Sequence, residues 1–293
     1  NTTLFAYMHY NYLLAIQDLQ PNKSKDKKNS IRQIVWKIRA KKVILATGSI
    51  ERPLTFNNND RPGIMLANSV SKYLNGYGVN LGKEIVIFTN NDSAYQTAID
   101  FHHHNIEITA VVDVRNNIEG DLPKIVKKLG IKIYYGSIIS NTTGRRKIKT
   151  AHIKKINDNN VEVINCDLLC MSGGWSPTVH LFTQSRGKLK FRDEDSCFVP
   201  HQTHQKTISV GACNGVFDLR NILLETHTTV NNFLNEDKNN ILDGEIYKAD
   251  IINSGKQENA WLINKDKIKK SKMFVDFQND VTAKDIKIAL SEG

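Results

Sequence analysis

The sequence lacks several features that would assign a function directly. It has four cysteines in 293 residues, at positions 166, 170, 197 and 213, and no two of them form a C-x-x-C pair. We therefore expect neither a redox-active dithiol nor a disulfide framework, and the reduced thiols favour a cytoplasmic location. No apolar run reaches the length of a membrane-spanning helix, so we also expect a soluble protein.

Familiar catalytic and metal-binding patterns are also missing. No Ser/His/Asp or paired-carboxylate arrangement stands out, and we predict no catalytic residue in this chain. His102, His103 and His104 are consecutive, so on a helix they point in different directions and cannot converge on one metal ion. His201 and His204 have no carboxylate or thiolate partner in a matching pattern. We therefore predict no metal site.

The net charge of +10 raises the question of nucleic-acid binding. The lysines are scattered along the whole chain, and the basic runs are not interleaved with the aromatic residues that stack on bases. We therefore predict no nucleic-acid partner. A basic surface still attracts anionic ligands such as folates or phosphates.

The feature that organises the sequence is a short apolar run followed by glycine. Val43, Ile44, Leu45 and Ala46 predict a strand buried on both faces, as in a parallel sheet. The following Gly48 lets the backbone approach a ligand at the carboxyl end of the strand, where open α/β sheets bind ligands. An ordinary turn after a buried strand is the alternative interpretation.

A second pattern predicts a β-α-β unit further along the chain. Its parts are a strand over residues 84–88, a turn over 89–92, a helix over 93–104 begun by a Ser93/Gln96 capping box, and a strand over 106–112. Asp113 and Arg115 lie near the spacing at which a Rossmann unit places its ribose-binding acid. The turn, however, has none of the glycines of G-x-G-x-x-G, and Asp92 puts negative charge where a pyrophosphate would lie. Both readings stay open, and we favour a Rossmann fold retained for structure with its site degraded.

Several motifs together resemble one protein family. The stretch Val43–Gly48 is similar to the second dinucleotide-contact motif of the two-dinucleotide-binding-domain flavoproteins, the superfamily of disulfide reductases and amine oxidases. The stretch Ser209–Gly215 is similar to its partner motif. Five further stretches resemble the alpha subunit of heterotetrameric sarcosine oxidase, namely residues 50–54, 59–66, 88–94, 172–180 and 274–284.

This resemblance implies an α/β fold: a partial Rossmann-like FAD/NAD(P)-binding domain with an inserted second Rossmann-like domain, followed by the start of a small α+β module. The implied divisions are 1–53 for the second half of the first domain, 54–172 for the inserted NAD(P)-binding-like domain, 173–235 for the return to the first domain, 236–272 for a linker and 273–293 for the small module. Because the chain starts with Asn1 and lacks a preceding Gly-rich loop, we expect an internal fragment.

The resemblance also implies an activity and its cofactors. The family converts sarcosine to glycine by oxidative demethylation, passes the methyl carbon to tetrahydrofolate and forms hydrogen peroxide. It implies NAD on the alpha subunit, FMN at the interface with the beta subunit, FAD on the beta subunit, tetrahydrofolate in a C-terminal domain beyond this chain, and beta, gamma and delta subunits as partners. Thr47, Gly48, Gly211 and Ala212 are the implied backbone contacts to NAD.

Three alternatives remain. One is a subunit of a related amine or opine dehydrogenase or of a cyanide synthase. Those proteins resemble this chain but keep a Cys-x-Cys pair where it has Asp276 and Gln278, so we predict no iron–sulfur cluster here. Another is a noncatalytic dinucleotide-binding scaffold. A stand-alone disulfide reductase is least favoured, because its dithiol is absent.

Overall fold

A computed structural model describes residues 1–19, 31–234, 249–260 and 272–292. The parts of the predicted linker at 236–248 and 261–271 lie outside these described residues. In chain order the elements are β1 (Thr2–Met8), β2 (Tyr12–Asp18), β3 (Gln33–Arg39), β4 (Val43–Leu45), β5 (Ser49–Glu51), β6 (Ile64–Leu66), α1 (Ala67–Tyr77), β7 (Ile85–Thr89), α2 (Ser93–His103), β8 (Ala110–Asp113), α3 (Asp121–Lys128), β9 (Ile133–Tyr134), β10 (Ser137–Thr143), β11 (Thr150–Lys155), β12 (Val161–Asn165), β13 (Leu168–Ser172), β14 (Trp175–Pro177), α4 (His180–Gln184), β15 (Lys188–Arg192), β16 (Cys197–Gln202), β17 (Thr207–Ser209), α5 (Leu219–Leu234), β18 (Phe274–Asp276), β19 (Val281–Thr282) and α6 (Ala283–Glu292).

The chain divides into two compact units. Unit 1 consists of Asn1–Ile50 and Ser176–Ile251, and unit 2 consists of Glu51–Trp175 and Ile252–Gly293. The chain passes from one unit to the other within β5 and again within β14. Each unit is therefore made from two separate stretches of sequence.

Unit 1 contains an antiparallel sheet of order β1-β2-β3, a parallel pair of β4 with β17, and a hairpin of β15 with β16. Its core gathers Tyr7, Leu13, Val43, Leu45 and Phe182. The predicted burial of the β4 run on both faces is wrong, because Ile44 is 38 % exposed. Alternate residues of a strand face opposite sides, and the core covers the side of Val43 and Leu45.

Unit 2 is built on a five-stranded parallel sheet of order β6-β13-β7-β8-β9. Every residue of β7, β8 and β13 is buried, as expected for parallel strands that are covered on both faces. The helices α1, α2 and α3 supply apolar side chains to one core cluster. The antiparallel sheet β10-β11-β12 supplies the other cluster. The predicted α/β class with a Rossmann-like parallel sheet is confirmed.

The start of helix α2 differs from the prediction. The N-cap residue is Asp92, no side chain caps the helix, and Gln96 donates to Asp100 instead. The Ser93 hydroxyl donates to the Asn91 side-chain oxygen at 2.6 Å. The predicted Ser93/Gln96 capping box is therefore wrong, because the preceding turn engages Ser93.

Helices α3 and α6 begin differently. Asp121 is the first residue of α3, Gly120 holds the N-cap position, and the Asp121 carboxylate accepts from the backbone of Asn253 at 2.9 Å. At the start of α6, Asp285 accepts from the Thr282 backbone at 2.9 Å and from its hydroxyl at 2.6 Å, which is a side-chain cap.

Candidate dinucleotide-binding site

The two predicted contact motifs meet at one edge of unit 1. Strands β4 and β17 run parallel, with Val43 opposite Thr207 and Leu45 opposite Ser209. Their carboxyl ends therefore lie side by side, and the backbone N–H of Val210 donates to the Leu45 carbonyl at 2.9 Å. Ligands of open α/β folds bind at this end of the strands.

Thr47 and Gly48 form the turn that follows β4. Gly48 has a φ of +73°, and a Cβ added there would find nothing within 4 Å. The Thr47 hydroxyl donates to the Thr178 carbonyl at 2.7 Å, and the Thr178 N–H donates to the Gly48 carbonyl at 2.9 Å. Within the described residues the amide N–H groups of Thr47 and Gly48 donate to no protein acceptor. An open turn with two available donors fits the polar oxygens of a dinucleotide.

Gly211 and Ala212 begin a short 3-10 helix, Gly211–Asn214, directly after β17. Gly211 has a φ of +69°, a conformation that favours glycine, and it is buried. The Cys213 thiol lies 3.2 Å from the carbonyl oxygens of Leu45 and Val210, so it fills the space between the two strand ends. Cys213 is therefore a small residue packed in the interior of unit 1. All four cysteines are free and buried.

The corresponding edge of unit 2 has a different chemistry. Asp92 lies where a Rossmann loop would hold a pyrophosphate, it is 4 % exposed, and its Oδ1 is 2.7 Å from the Arg115 guanidinium. Arg115 also bonds both carboxylate oxygens of Asp113, at 3.0 and 2.7 Å. Tyr95 donates to Asp113 at 2.8 Å. Burial raises the pKa of Asp113, and the contacts with Arg115 oppose that rise.

Residues 252–260, called here the covering segment, lie against this same edge of unit 2. The Gly255 N–H donates to Asp92 at 2.6 Å, and Arg115 donates to the Lys256 carbonyl at 3.1 Å. Asn90 exchanges two hydrogen bonds with the backbone of Glu258, at 2.8 and 3.0 Å. The edge that would hold a nucleotide therefore contacts the chain's own backbone.

This arrangement favours the structural reading of the inserted fold. A phosphate at the turn would meet the buried Asp92 carboxylate, which repels it, and the covering segment lies in its place. The sequence did not predict this contact, because residues 252–260 were assigned to the linker. In the structure an added Cβ at Gly255 would lie 3.3 Å from Asp92, so the segment approaches the turn closely at this residue.

Glu51 is a buried carboxyl that sequence reasoning did not single out. It is 6 % exposed, and it accepts from the Asn68 N–H at the start of helix α1 at 2.9 Å. Burial raises its pKa from 4.5 to about 7, although hydrogen bonds from Ser172 and Asn68 oppose the rise. Glu51 therefore changes charge in the neutral range.

Among the described residues, no group of three or more His, Cys, Asp or Glu side chains is close enough to hold a metal ion. In that same part of the chain, no helix is both long and apolar enough to span a membrane.

Solved structures place the fold in a class. A FAD-dependent pyridine nucleotide-disulphide oxidoreductase from Desulfovibrio vulgaris has a TM-score of 0.51 and 15 % identity, with 76 % of this chain and 55 % of that chain covered. A NAD-dependent persulfide reductase from A. fulgidus has a TM-score of 0.51 and 12 % identity, with 72 % and 38 % covered. The chain therefore shares the Rossmann-like fold of these two structures.

Three sequence relatives carry the name of the family that the motifs resemble. The chain is 32 % identical over 303 residues to sarcosine oxidase subunit alpha of Corynebacterium sp. (strain U-96), and 30 % identical over 292 residues to that of Rhizobium meliloti (strain 1021). These alignments cover 100 % of this chain, which spans 31 % and 29 % of the relatives. No protein-family model matches. The resemblance to the sarcosine oxidase alpha subunit is thereby confirmed along the whole chain.

Proposed function

We propose that the chain forms part of a sarcosine oxidase alpha subunit and that its unit 1 binds NAD. The full complex would demethylate sarcosine oxidatively to glycine, pass the methyl carbon to tetrahydrofolate and form hydrogen peroxide. Similarity along the entire chain to relatives named sarcosine oxidase subunit alpha supports this activity.

The observation that carries the NAD proposal is the parallel pairing of β4 with β17. It brings Thr47 and Gly48 to the same edge as Gly211 and Ala212, although the two pairs are far apart in sequence. The amide groups of the first pair would donate to the dinucleotide, and the glycine backbone of the second would allow its close approach. NAD, when bound, supplies a ring that accepts or donates hydride.

The oxidation itself belongs to other parts of the complex in this proposal. FAD on the beta subunit would oxidise the amine, FMN would lie at the alpha/beta interface, and tetrahydrofolate would bind a further domain of the alpha subunit. The partners are the beta, gamma and delta subunits in the cytoplasm. This chain contributes no catalytic residue and serves to bind NAD and support the flavin subunit.

A related amine dehydrogenase or cyanide synthase subunit is the alternative, and the C-terminal residues weigh against it. Asp276 accepts hydrogen bonds from the backbone of Gln278 at 2.8 Å and of Asn279 at 3.2 Å. The Asp276 carboxylate thus closes a turn at these positions, whereas an iron–sulfur cluster needs thiolate ligands.

Cofactor identification tests the proposal. The full-length alpha chain would be co-expressed and purified with its neighbouring subunits, denatured, and its released cofactors identified by mass. We expect NAD, FMN and FAD without iron, together with peroxide formation from sarcosine.

Each other result has a definite meaning. Iron, or FAD without NAD, would move the chain to the dehydrogenase branch. If removal of NAD left turnover unchanged, the noncatalytic scaffold would be the correct reading of unit 1.

A further inference from the structure

A cleft of about 660 Å³ lies in unit 1, at the end of the parallel pair opposite to the proposed NAD edge. Lys41 and Ala40 line it just before β4 begins, and Gln205 and Lys206 line it just before β17 begins. These are the amino ends of the two strands, whereas Gly48 follows a carboxyl end. The cleft is therefore separate from the NAD site.

One side chain holds the walls of this cleft together. Gln205 accepts from the Asn11 N–H at 2.6 Å and donates to the carbonyls of Met8 at 3.1 Å and Ser185 at 3.2 Å. It thereby joins the β1–β2 turn, the end of α4 and the loop before β17. This cleft is consequently built by specific hydrogen bonds between three loops.

Asn11 also stabilises the loops that line the cleft. It is 5 % exposed, its amide donates to the carbonyls of Lys41 at 3.1 Å and Lys206 at 3.3 Å, and its oxygen accepts from Tyr7 at 2.7 Å. The backbones that carry two of the cleft's cations are thus fixed by one buried side chain.

Two residues of the lining have positive φ at ordinary turn positions. Tyr10 has a φ of 59° in the short turn that joins β1 to β2, and Arg186 has a φ of 67° just after the end of α4. Positive φ is usual in tight hairpin turns and at helix C-termini. The lining of the cleft therefore comes from two turns whose shape is set locally.

The charge of the cleft has one sign. Lys41, Arg186 and Lys206 line it, none of them forms an ion pair with a described residue, and the lining contains no Asp or Glu. The imidazole rings of His9 and His204 also line the cleft, with centroids 6.3 Å apart. Three uncompensated cations around one concavity attract anions, and the attraction grows with the charge of the ligand.

We propose that this cleft binds a polyvalent anion, one that carries two or more phosphate or carboxylate groups. Lys41, Arg186 and Lys206 contact its charges, and the exposed Tyr10 ring covers part of it. The lysine and arginine side chains can donate hydrogen bonds to phosphate oxygens and to carboxylate oxygens. The ligand class is therefore defined by its multiple negative charges.

Titration calorimetry on the full-length alpha chain with its subunits tests this proposal. The probes are tripolyphosphate and triglutamate at low ionic strength. The variants are Lys41→Gln and Arg186→Gln, and the matched control is Lys190→Gln, which removes an exposed charge of β15 in the same unit but outside the cleft. Retained circular dichroism and thermal midpoint confirm that each variant folds.

We expect at least one probe to bind, with affinity falling as salt increases. Each cleft variant should weaken binding about three- to fivefold, and the control should leave it unchanged. Binding of tripolyphosphate alone would identify phosphate ligands, and binding of triglutamate alone would identify carboxylates. The proposal fails if neither probe binds, or if Lys190→Gln weakens binding as much as the cleft variants do.

Discussion

The Asp92 carboxylate accepts a hydrogen bond from the backbone N–H of Gly255 at 2.6 Å, although the two residues are 163 positions apart. In unit 2 this bond joins the turn after β7 to the covering segment. A negatively charged side chain and a stretch of peptide thus lie where a nucleotide-binding unit would have a glycine loop and a phosphate.

Gly120→Ala should destabilise unit 2. Gly120 has ordinary extended dihedrals, so alanine adds no backbone strain, but its Cβ would lie 1.6 Å from the Asp92 Oδ2 atom. We expect a loss of about 1–3 kcal/mol in the free energy of unfolding, measured by chemical denaturation. The control is Gly76→Ala in helix α1, where a Cβ finds nothing within 4 Å and should be neutral or stabilising. Equal stability of the two variants would contradict the packing of Asp92.

Arg115→Met should be more damaging, because it leaves the buried carboxylates of Asp92 and Asp113 without their cation. Breaking a buried pair in this way costs about 3–5 kcal/mol, again measured by denaturation. Lys132→Met is the control. It removes the ion pair between Lys132 and Glu162, whose side chains are 61 % and 52 % exposed, respectively. Loss of such an exposed pair should change the free energy of unfolding little. A mild effect of Arg115→Met would show that the carboxylates find other partners.

Glu51 should make unit 2 less stable as the pH rises. Its pKa in the folded protein is about 7, above the ordinary value of 4.5, so the native state holds a proton that the unfolded state loses. This contribution is fully present below pH of about 4.5 and is lost as the pH rises through about 7. It amounts to about 3 kcal/mol.

Glu51→Gln should flatten this dependence, measured as denaturation midpoints between pH 5 and pH 8, roughly the interval of the expected loss. The exposed Glu107→Gln provides the comparison and should keep the wild-type slope. An unchanged slope in Glu51→Gln would assign the pH dependence to other groups.

Gly48→Ala should reduce the NAD retained by the purified full-length chain. The substitution restricts an open turn with φ of +73° whose amide groups are the proposed donors. Loss of one or two such hydrogen bonds weakens binding about tenfold, read as NAD released on denaturation.

Gly78→Ala is the matched control for this experiment. Gly78 also has positive φ, +64°, and also has nothing within 4 Å of its ideal Cβ, but it ends helix α1 in unit 2. Both alanines carry similar backbone strain, so a loss of NAD in both variants would point to misfolding rather than to a lost contact.

The sequence by itself determined most local elements and the resemblance to known relatives. The apolar runs of β7 and β13 are fully buried parallel strands, and Gly78 ends helix α1 in the left-handed conformation that glycine favours. The motifs around Gly48 and Gly211 were sufficient to identify the relatives that the full chain resembles. Such signals are local, because periodicity and glycine placement depend on neighbouring residues.

The tertiary structure decided what distant residues do together. In the structure Ser93 bonds to Asn91 instead of capping the helix, and one face of β4 is exposed. A polar segment that was assigned to a linker contacts the sheet edge of unit 2. The tertiary structure also gathered Lys41, Arg186 and Lys206 around one cleft, although more than a hundred positions separate the first from the others. Hydrogen bonds and charge interactions between segments that are distant in sequence depend on how the whole chain folds. Local sequence patterns do not determine which of these segments meet.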